Sequence, residues 1–262
     1  MTSPLLQTMI DAALAAGAEI ERLYIEGCEA EEKLDGSPVT IADRHAELII
    51  LKRLAAAFPD IPVLAEEEAC AGRIPELGDR FFCVDPLDGT KGFVARTGEF
   101  TVNIALIEGT APVAGVIYAP DPKLLYYGAH GEGAFRRAGA GAPEPIRARP
   151  RPASGLIGVG SRSHHAPGTE EKNAGLGIAD YLPSGSSLKF CRLAEGAADV
   201  YPRYGRTMEW DTAAGQAILE AAGGRVAALG PDGEEAGPLA YGKAEDGFAN
   251  PNFIAWGGAF AI

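Results

Sequence analysis

Apolar residues recur at helical spacing over residues 4 to 26, where Leu6, Met9, Ile10, Ala13, Leu14 and Ile20 share one stripe. The periodicity predicts an amphipathic helix there, and a second over residues 40 to 57, starting near residues 40 to 43 and stopping just before Pro59. Phe81-Phe82-Cys83-Val84 is an apolar run of strand character. Beyond it, TVNIALIEG, PVAGVIYAP and LLYYGAHGEGAF read as strands joined by short Gly and Pro turns, the pattern of an antiparallel meander. On this reading two helices precede the first strand and lie on one face of a sheet. From Gly155 onward the pattern alternates. LIGVGS and DVYPRY read as strands, GTEEKNAGLG and SSLKFCRLAEGA as helices, and WDTAAGQAILEAAGG as a helix closed by Gly223-Gly224. The loop AGAGAPEPIRARPRPASG, near residues 138 to 155, is the expected boundary between an N-terminal α+β half, residues 1–140, and a C-terminal α/β half, residues 155–262.

Length and composition narrow this picture. At 262 residues the chain is long enough for one large core or two intimately joined halves. Its 47% hydrophobic and 23% charged content is that of a soluble globular protein. A net charge of −13 argues against a nucleic-acid polymer or an anionic membrane surface as partner, and it means that an anionic small substrate needs a metal or clustered Arg and Lys. Cys28, Cys70, Cys83 and Cys191 are far apart and form no CxxC pair, so free thiols in a reducing cytosol are expected. The start, MTSPLLQTMIDAALAAG, lacks a basic region and carries Asp11, unlike a secretion signal. No apolar run reaches the length of a membrane span. A cytoplasmic location is the expectation; peripheral contact with the inner membrane and a homodimer are both left open.

The candidate chemistry begins with VDPLDGTKGF, residues 84 to 93, where Asp85 and Asp88 leave a buried strand together. Asp-Pro and Asp-Gly are ordinary turn signals. Two carboxylates held that close nonetheless repel one another unless a cation lies between them. PVLAEEE ends an apolar run with Glu66, Glu67 and Glu68, which read either as a solvated acidic turn or as oxygen ligands. Asp211 in WDTAA reads either as a helix cap or as another ligand. Taken together, Glu66, Asp85, Asp88 and Asp211 supply oxygen donors from separate segments, as an all-oxygen site for several cations requires.

PVLAEEE, VDPLDGTKGF, GEFTVNIALIEG, GSSLKF and WDTAAGQAIL, in that order over nearly the whole chain, resemble the inositol monophosphatase superfamily of metal-dependent, lithium-sensitive phosphatases. DGTK, SRSH, GSSLKF and VYPR are most similar to its bacterial 3'(2'),5'-bisphosphate nucleotidase branch. The resemblance implies a layered αβαβα sandwich with the active site at the junction of the two halves. It implies two or three Mg2+ ions held by Glu66, Asp85, Asp88 and Asp211 with the backbone carbonyl of Leu87, while Glu67 and Glu68 stand outside the ligand set. Thr90, assisted by Asp43, would orient the nucleophilic water, and Gly89 and Thr90 would offer backbone N–H groups to the phosphate. Ser186, Lys189, Arg203 and His164 match nucleotide-binding positions, with His165 an alternative to His164. His45 and His130 read as structural or solvated.

The implied activity is removal of the 3'-phosphate of adenosine 3',5'-bisphosphate, and of PAPS, in sulfate assimilation. One departure stands out: Gly92 follows DGTK where that branch usually has an acidic residue. An inositol or sugar phosphate phosphatase shares the metal core but needs no adenine pocket. A catalytically idle member that senses a nucleotide or a metal is the alternative of another class.

Overall fold

The computed structural model describes residues 2–33, 36–160 and 173–258. Helix α1 (Pro4–Glu26) begins where the Ser3 hydroxyl accepts the Leu6 N–H and Pro4 presets the first helical φ, and it buries the predicted stripe. Helix α2 (Ile41–Ala57) starts from a capping box between Thr40 and Asp43. Between them lies a short antiparallel hairpin, β1 (Ala30–Glu32) and β2 (Pro38–Thr40), which corrects the expectation that two helices precede any strand. All three residues of β1 are exposed, so it carries no apolar alternation.

The first sheet contains seven strands in sequence order: β3 (Val63–Ala65), β4 (Arg80–Asp88), β5 (Thr101–Glu108), β6 (Ala111–Ala119), β7 (Leu124–Ala129), β8 (Gly133–Ala138) and β9 (Glu144–Ile146). β3 and β4 are parallel and every other pair is antiparallel, as the meander predicts. LLYYGAHGEGAF divides into β7 and β8. Because side chains alternate across a strand, Phe82 and Val84 of β4 join the core under α1 and α2, whereas Phe81 and Cys83 join a second core on the opposite face.

That second core is filled by α5 (Leu188–Ala194) and α6 (Glu209–Ala221). The short helices α3 (Glu66–Cys70) and α4 (Thr90–Val94) sit at the ends of β3 and β4. On the far side of α5 and α6 lies a six-stranded mixed sheet of β10 (Leu156–Gly160), β11 (Ile178–Pro183), β12 (Val200–Arg203), β13 (Arg225–Leu229), β14 (Glu235–Pro238) and β15 (Phe253–Trp256), in the order β11-β10-β12-β15-β13-β14. Phe190 and Ile218 therefore share one core with Phe81 and Ile107 of one sheet and Tyr201 and Phe253 of the other, with the Phe190 ring against those of Tyr201 and Phe253. The outer face of the second sheet buries Leu156, Val200, Ala227 and Ile254, with Leu176 of a 3-10 turn (Ala174–Leu176) against them.

The result is the layered sandwich of helices and mixed sheets that the motifs imply. Half of GTEEKNAGLG, residues 168–172, lies outside the described residues; the remainder holds the 3-10 turn rather than an α-helix. β11 replaces a stretch read as neither helix nor strand. All four cysteines are free thiols. Among the described residues no helix is long and apolar enough to cross a membrane.

Candidate active site

Strand β4 carries two of the expected site residues. Asp85 pairs with Asn103 and Asp88 with Thr101, and the register slips between them, so Pro86 and Leu87 bulge from the ladder and both carboxylates reach the strand end together. Asp85 is buried, and its Oδ1 accepts the Leu87 N–H at 2.9 Å. Asp88 Oδ2 accepts the Ser186 hydroxyl and the Ser187 N–H at 2.6 Å each. Gly89 then turns the chain into α4 with φ +91, and a Cβ there would lie 2.6 Å from the Glu99 carbonyl oxygen. Both facts require glycine. Gly92 has the same neighbour: a Cβ would sit 2.9 Å from the Glu99 carbonyl oxygen, so the missing acidic residue coincides with a close backbone approach.

Thr90, the first residue of α4, has its hydroxyl 3.0 Å from Asp43 Oδ1 and 3.1 Å from the Leu87 carbonyl oxygen. Asp43 Oδ2 in turn accepts the Thr40 N–H and hydroxyl at 2.7 Å each. Burial pushes the Asp43 carboxyl above the usual carboxylate range even though these hydrogen bonds pull the other way. The predicted Thr90–Asp43 partnership is thus present as a direct contact.

Because Ala65 pairs with Val84 in parallel register, Glu66 follows β3 at the level of Asp85. Its Oε1 accepts Lys33 Nζ at 2.7 Å, and the same ammonium donates to Glu67 Oε1 at 2.6 Å. Glu68 turns outward to a two-bond contact with Arg73. Asp211 lies in the first turn of α6, where Oδ2 accepts the Met208 N–H at 2.7 Å. Asp211 is thus not the N-cap itself, which is Met208, but the third residue of the helix bonding back to it, and it also lines the common cavity.

Glu66, Asp85, Leu87, Asp88, Gly89, Thr90 and Asp211 all line one cavity of ≈ 680 Å³. Burial, then repulsion from Glu66, Asp88 and Asp211, drives the Asp85 carboxyl well above its ordinary range. Burial first and Asp88 next push Asp211 up to about 8. Glu66 rises to about 7, again chiefly through burial, although the Lys33 charge opposes this. Each carboxylate is tied to a protein donor, and among the described residues no three acidic, imidazole or thiol groups converge as ion ligands in their present rotamers. The donor set itself suits a hard divalent cation: carboxylates with one carbonyl, crowded and deprived of water, are destabilised in exactly the charged form that such a cation would favour.

A recess of ≈ 120 Å³ adjoins this cavity, sharing Asp88, Thr207 and Asp211 and adding Ser186, Lys189, Tyr201 and Arg203. Lys189 is buried, donates to the Ser186 carbonyl at 2.9 Å and lies 5.7 Å from the Tyr201 ring centroid. Burial pulls its ammonium below the usual range. Ser186 itself has φ +51, an uncommon conformation for a non-glycine residue. Arg203 Nε is buried without a hydrogen-bond partner among the described residues. His164 and His165 lie outside the described residues. Nδ1 of His45 stands 2.9 Å from Glu19 Oε1, on the helix pair rather than in the cavity.

Sequence reasoning missed Lys33, the exposed Lys91 and Arg206 at the cavity wall, and Glu47 behind α3. Lys91 had a signal in DGTK; Lys33 and Glu47 had none beyond their proximity to TIAD.

A carboxylate cluster thus stands at the end of a bulged strand, between two sheets joined by a helical layer. The chain belongs to the inositol monophosphatase family, which it matches over residues 1–253. It is 46% identical over 225 residues to the 3'(2'),5'-bisphosphate nucleotidase CysQ of Salmonella typhimurium, covering 85% of this chain and 89% of that protein. It is 40% identical over 252 residues to CysQ of Escherichia coli (strain K12), covering 95% and 98%. Among solved structures it resembles CysQ from Bacteroides thetaiotaomicron with a TM-score of 0.79 at 41% identity, covering 97% of both chains. An IMPase from Thermotoga maritima superposes with a TM-score of 0.79 at 27% identity, covering 98% of this chain and 93% of that one.

Proposed function

We propose that this protein is a magnesium-dependent phosphomonoesterase that removes the 3'-phosphate of adenosine 3',5'-bisphosphate, and of PAPS, as the names of its CysQ relatives suggest. The observation that carries the reading is the meeting of Glu66, Asp85, Asp88 and Asp211, from three separate segments, on one cavity. These four and the Leu87 carbonyl would hold two or three ions. Magnesium at such a site supplies Lewis-acid charge to a phosphoryl group and acidifies water.

The protein's own groups set the geometry. The Thr90 hydroxyl hydrogen is directed at Asp43 Oδ1 or the Leu87 carbonyl, so its lone pairs are free to accept a hydrogen bond from the attacking water and aim it. Asp43, fixed by Thr40, is placed to receive a proton through Thr90. Gly89 and Thr90 supply backbone N–H donors to the phosphoryl oxygens. No covalent attachment to the chain is required.

The non-reacting phosphate belongs in the adjoining recess, with Ser186 as a hydroxyl donor and His164 as a further contact. Lys189 uses one of its three donors on Ser186, and Arg203 Nε has none of its capacity spent within the described residues. Truncating either cation removes charge-assisted bonds from a bisphosphate but nothing from a monophosphate. Lys189→Ala and Arg203→Ala should each cost about 2 kcal/mol in kcat/KM for adenosine 3',5'-bisphosphate, roughly thirtyfold. Efficiency on inositol 1-phosphate should stay near wild type. Equal losses on both substrates would assign these residues to the fold or the metals. A wild-type preference for inositol 1-phosphate would make the protein an inositol phosphatase instead.

A further inference from the structure

Glu47 is only 3% exposed, and it sits one helical turn after Asp43 on α2. The two buried carboxylates reach from one helix to two different elements, α4 and α3, each of which carries a residue of the cavity wall. Asp43 meets the Thr90 hydroxyl at 3.0 Å. Glu47 Oε2 accepts the Glu67 N–H at 2.8 Å and its Oε1 accepts the Glu68 N–H at 3.1 Å. Those amides open α3, whose first residue is Glu66. The residue that precedes the helix, Ala65, provides no side-chain cap, so its free N–H groups depend on a group from elsewhere in the fold.

We propose that Glu47 is a positioning residue for the metal centre: by binding the Glu67 and Glu68 amides it fixes α3, and through α3 the place of the Glu66 carboxylate. Helix α2 then acts as a ruler between the water-orienting Thr90 and the ligand Glu66. The inference rests on the metal-dependent reading above. A carboxylate is the group the site needs, because both of its oxygens accept. A glutamine offers one acceptor, and its NH2 would face the second backbone N–H. Volume and burial are nearly unchanged by that substitution, so its effect isolates the hydrogen bonds from packing.

The test is Mn2+ binding followed by the electron paramagnetic resonance signal of the free ion, with the full chain as wild type, Glu47→Gln, Glu47→Ala and Glu32→Gln. Glu47→Gln should keep its far-ultraviolet circular dichroism and lose Mn2+ affinity by about 10- to 100-fold, the range typical of groups that orient metal ligands. Glu47→Ala should lose at least as much; if it fails to fold, the Gln variant decides. Turnover by Glu47→Gln should recover most of its wild-type kcat at saturating metal, because the ligand itself remains. Glu32→Gln removes a carboxylate from the same groove without touching the α3 amides and should bind Mn2+ as wild type does.

Wild-type affinity in Glu47→Gln overturns the inference, as does a kcat deficit that no metal concentration restores. An equal loss in Glu32→Gln would attribute affinity to the charge of the groove and overturn it too. A wild type that binds no Mn2+ overturns the metal reading together with this inference, whereas wild-type binding unchanged in Glu47→Gln overturns this inference alone.

Discussion

Asp88 illustrates how much one residue is asked to do. Its Oδ2 accepts two bonds of 2.6 Å from Ser186 and Ser187, 98 and 99 positions further along the chain, so it links the first sheet to the start of α5 as well as facing the cavity. Asp88→Asn keeps the shape and can keep those two bonds through its amide oxygen, but it removes one unit of charge from the proposed metal centre. It should therefore fold with wild-type circular dichroism and lose turnover by about 100-fold or more, since even groups one step removed from a metal cost 10- to 100-fold. A phosphate-release assay checks this, and turnover near wild type would remove Asp88 from the ligand set. Asp85, Asp88, Glu66 and Asp211 were picked out in the sequence by two carboxylates leaving one strand end together and by motifs that resemble the family. Lys33 was not, since its partners Glu66 and Glu67 lie 33 and 34 residues away and nothing local distinguishes it from a solvated lysine. Glu47 was hidden differently: on an amphipathic helix an acid one turn from another acid looks like part of the solvated face.

Elements were legible in proportion to their length and to the contrast between their faces. Helix α1 and the meander strands β5 and β6 have long, clear periodicity, and they fall where the pattern put them. The hairpin of β1 and β2 has three residues per strand, and β13, β14 and β15 have five, four and four, too few for alternation to emerge. β11 reads as irregular because most of its residues face solvent at the sheet edge. The bulge in β4 has a sequence signal in Asp-Pro-Leu-Asp, but which way it throws the carboxylates depends on the pairing with Asn103 and Thr101. Helix α6 is buried on nearly every side, because a sheet lies on each flank. The boundary expected near residues 138 to 155 contains β9, which completes the first sheet, and α6 of the later half fills the core beneath that same sheet.

At the scale of the whole molecule, the carboxylate cluster is a store of electrostatic repulsion in a chain already carrying a net charge of −13. Asp85 is raised well above 3.8, Asp211 from 3.8 to about 8, and Glu66 from 4.5 to about 7, mainly by burial. The folded state therefore holds these protons more tightly than the unfolded chain does. Their contribution to stability is full below the ordinary carboxylate values and is lost as pH rises through about 7 and 8. In EDTA the melting temperature should fall by several degrees between about pH 5 and pH 8.5, because a tenfold difference in proton affinity is worth about 1.4 kcal/mol. Saturating Mg2+ should flatten that slope by favouring the ionised carboxylates. Parallel slopes with and without Mg2+ would mean that the cluster binds no ion.

The central claim is that these carboxylates form a magnesium centre for phosphate-ester hydrolysis, and phosphate release from adenosine 3',5'-bisphosphate under controlled ions tests it most directly. Turnover should be absent in EDTA, return with Mg2+ and yield AMP with its 5'-phosphate intact. At fixed saturating Mg2+ and equal ionic strength it should fall on addition of Li+ but not K+, because a small monovalent ion in a magnesium position supplies too little charge. Phosphate release that persists in EDTA, or that responds identically to Li+ and K+ as simple screening would require, contradicts the account.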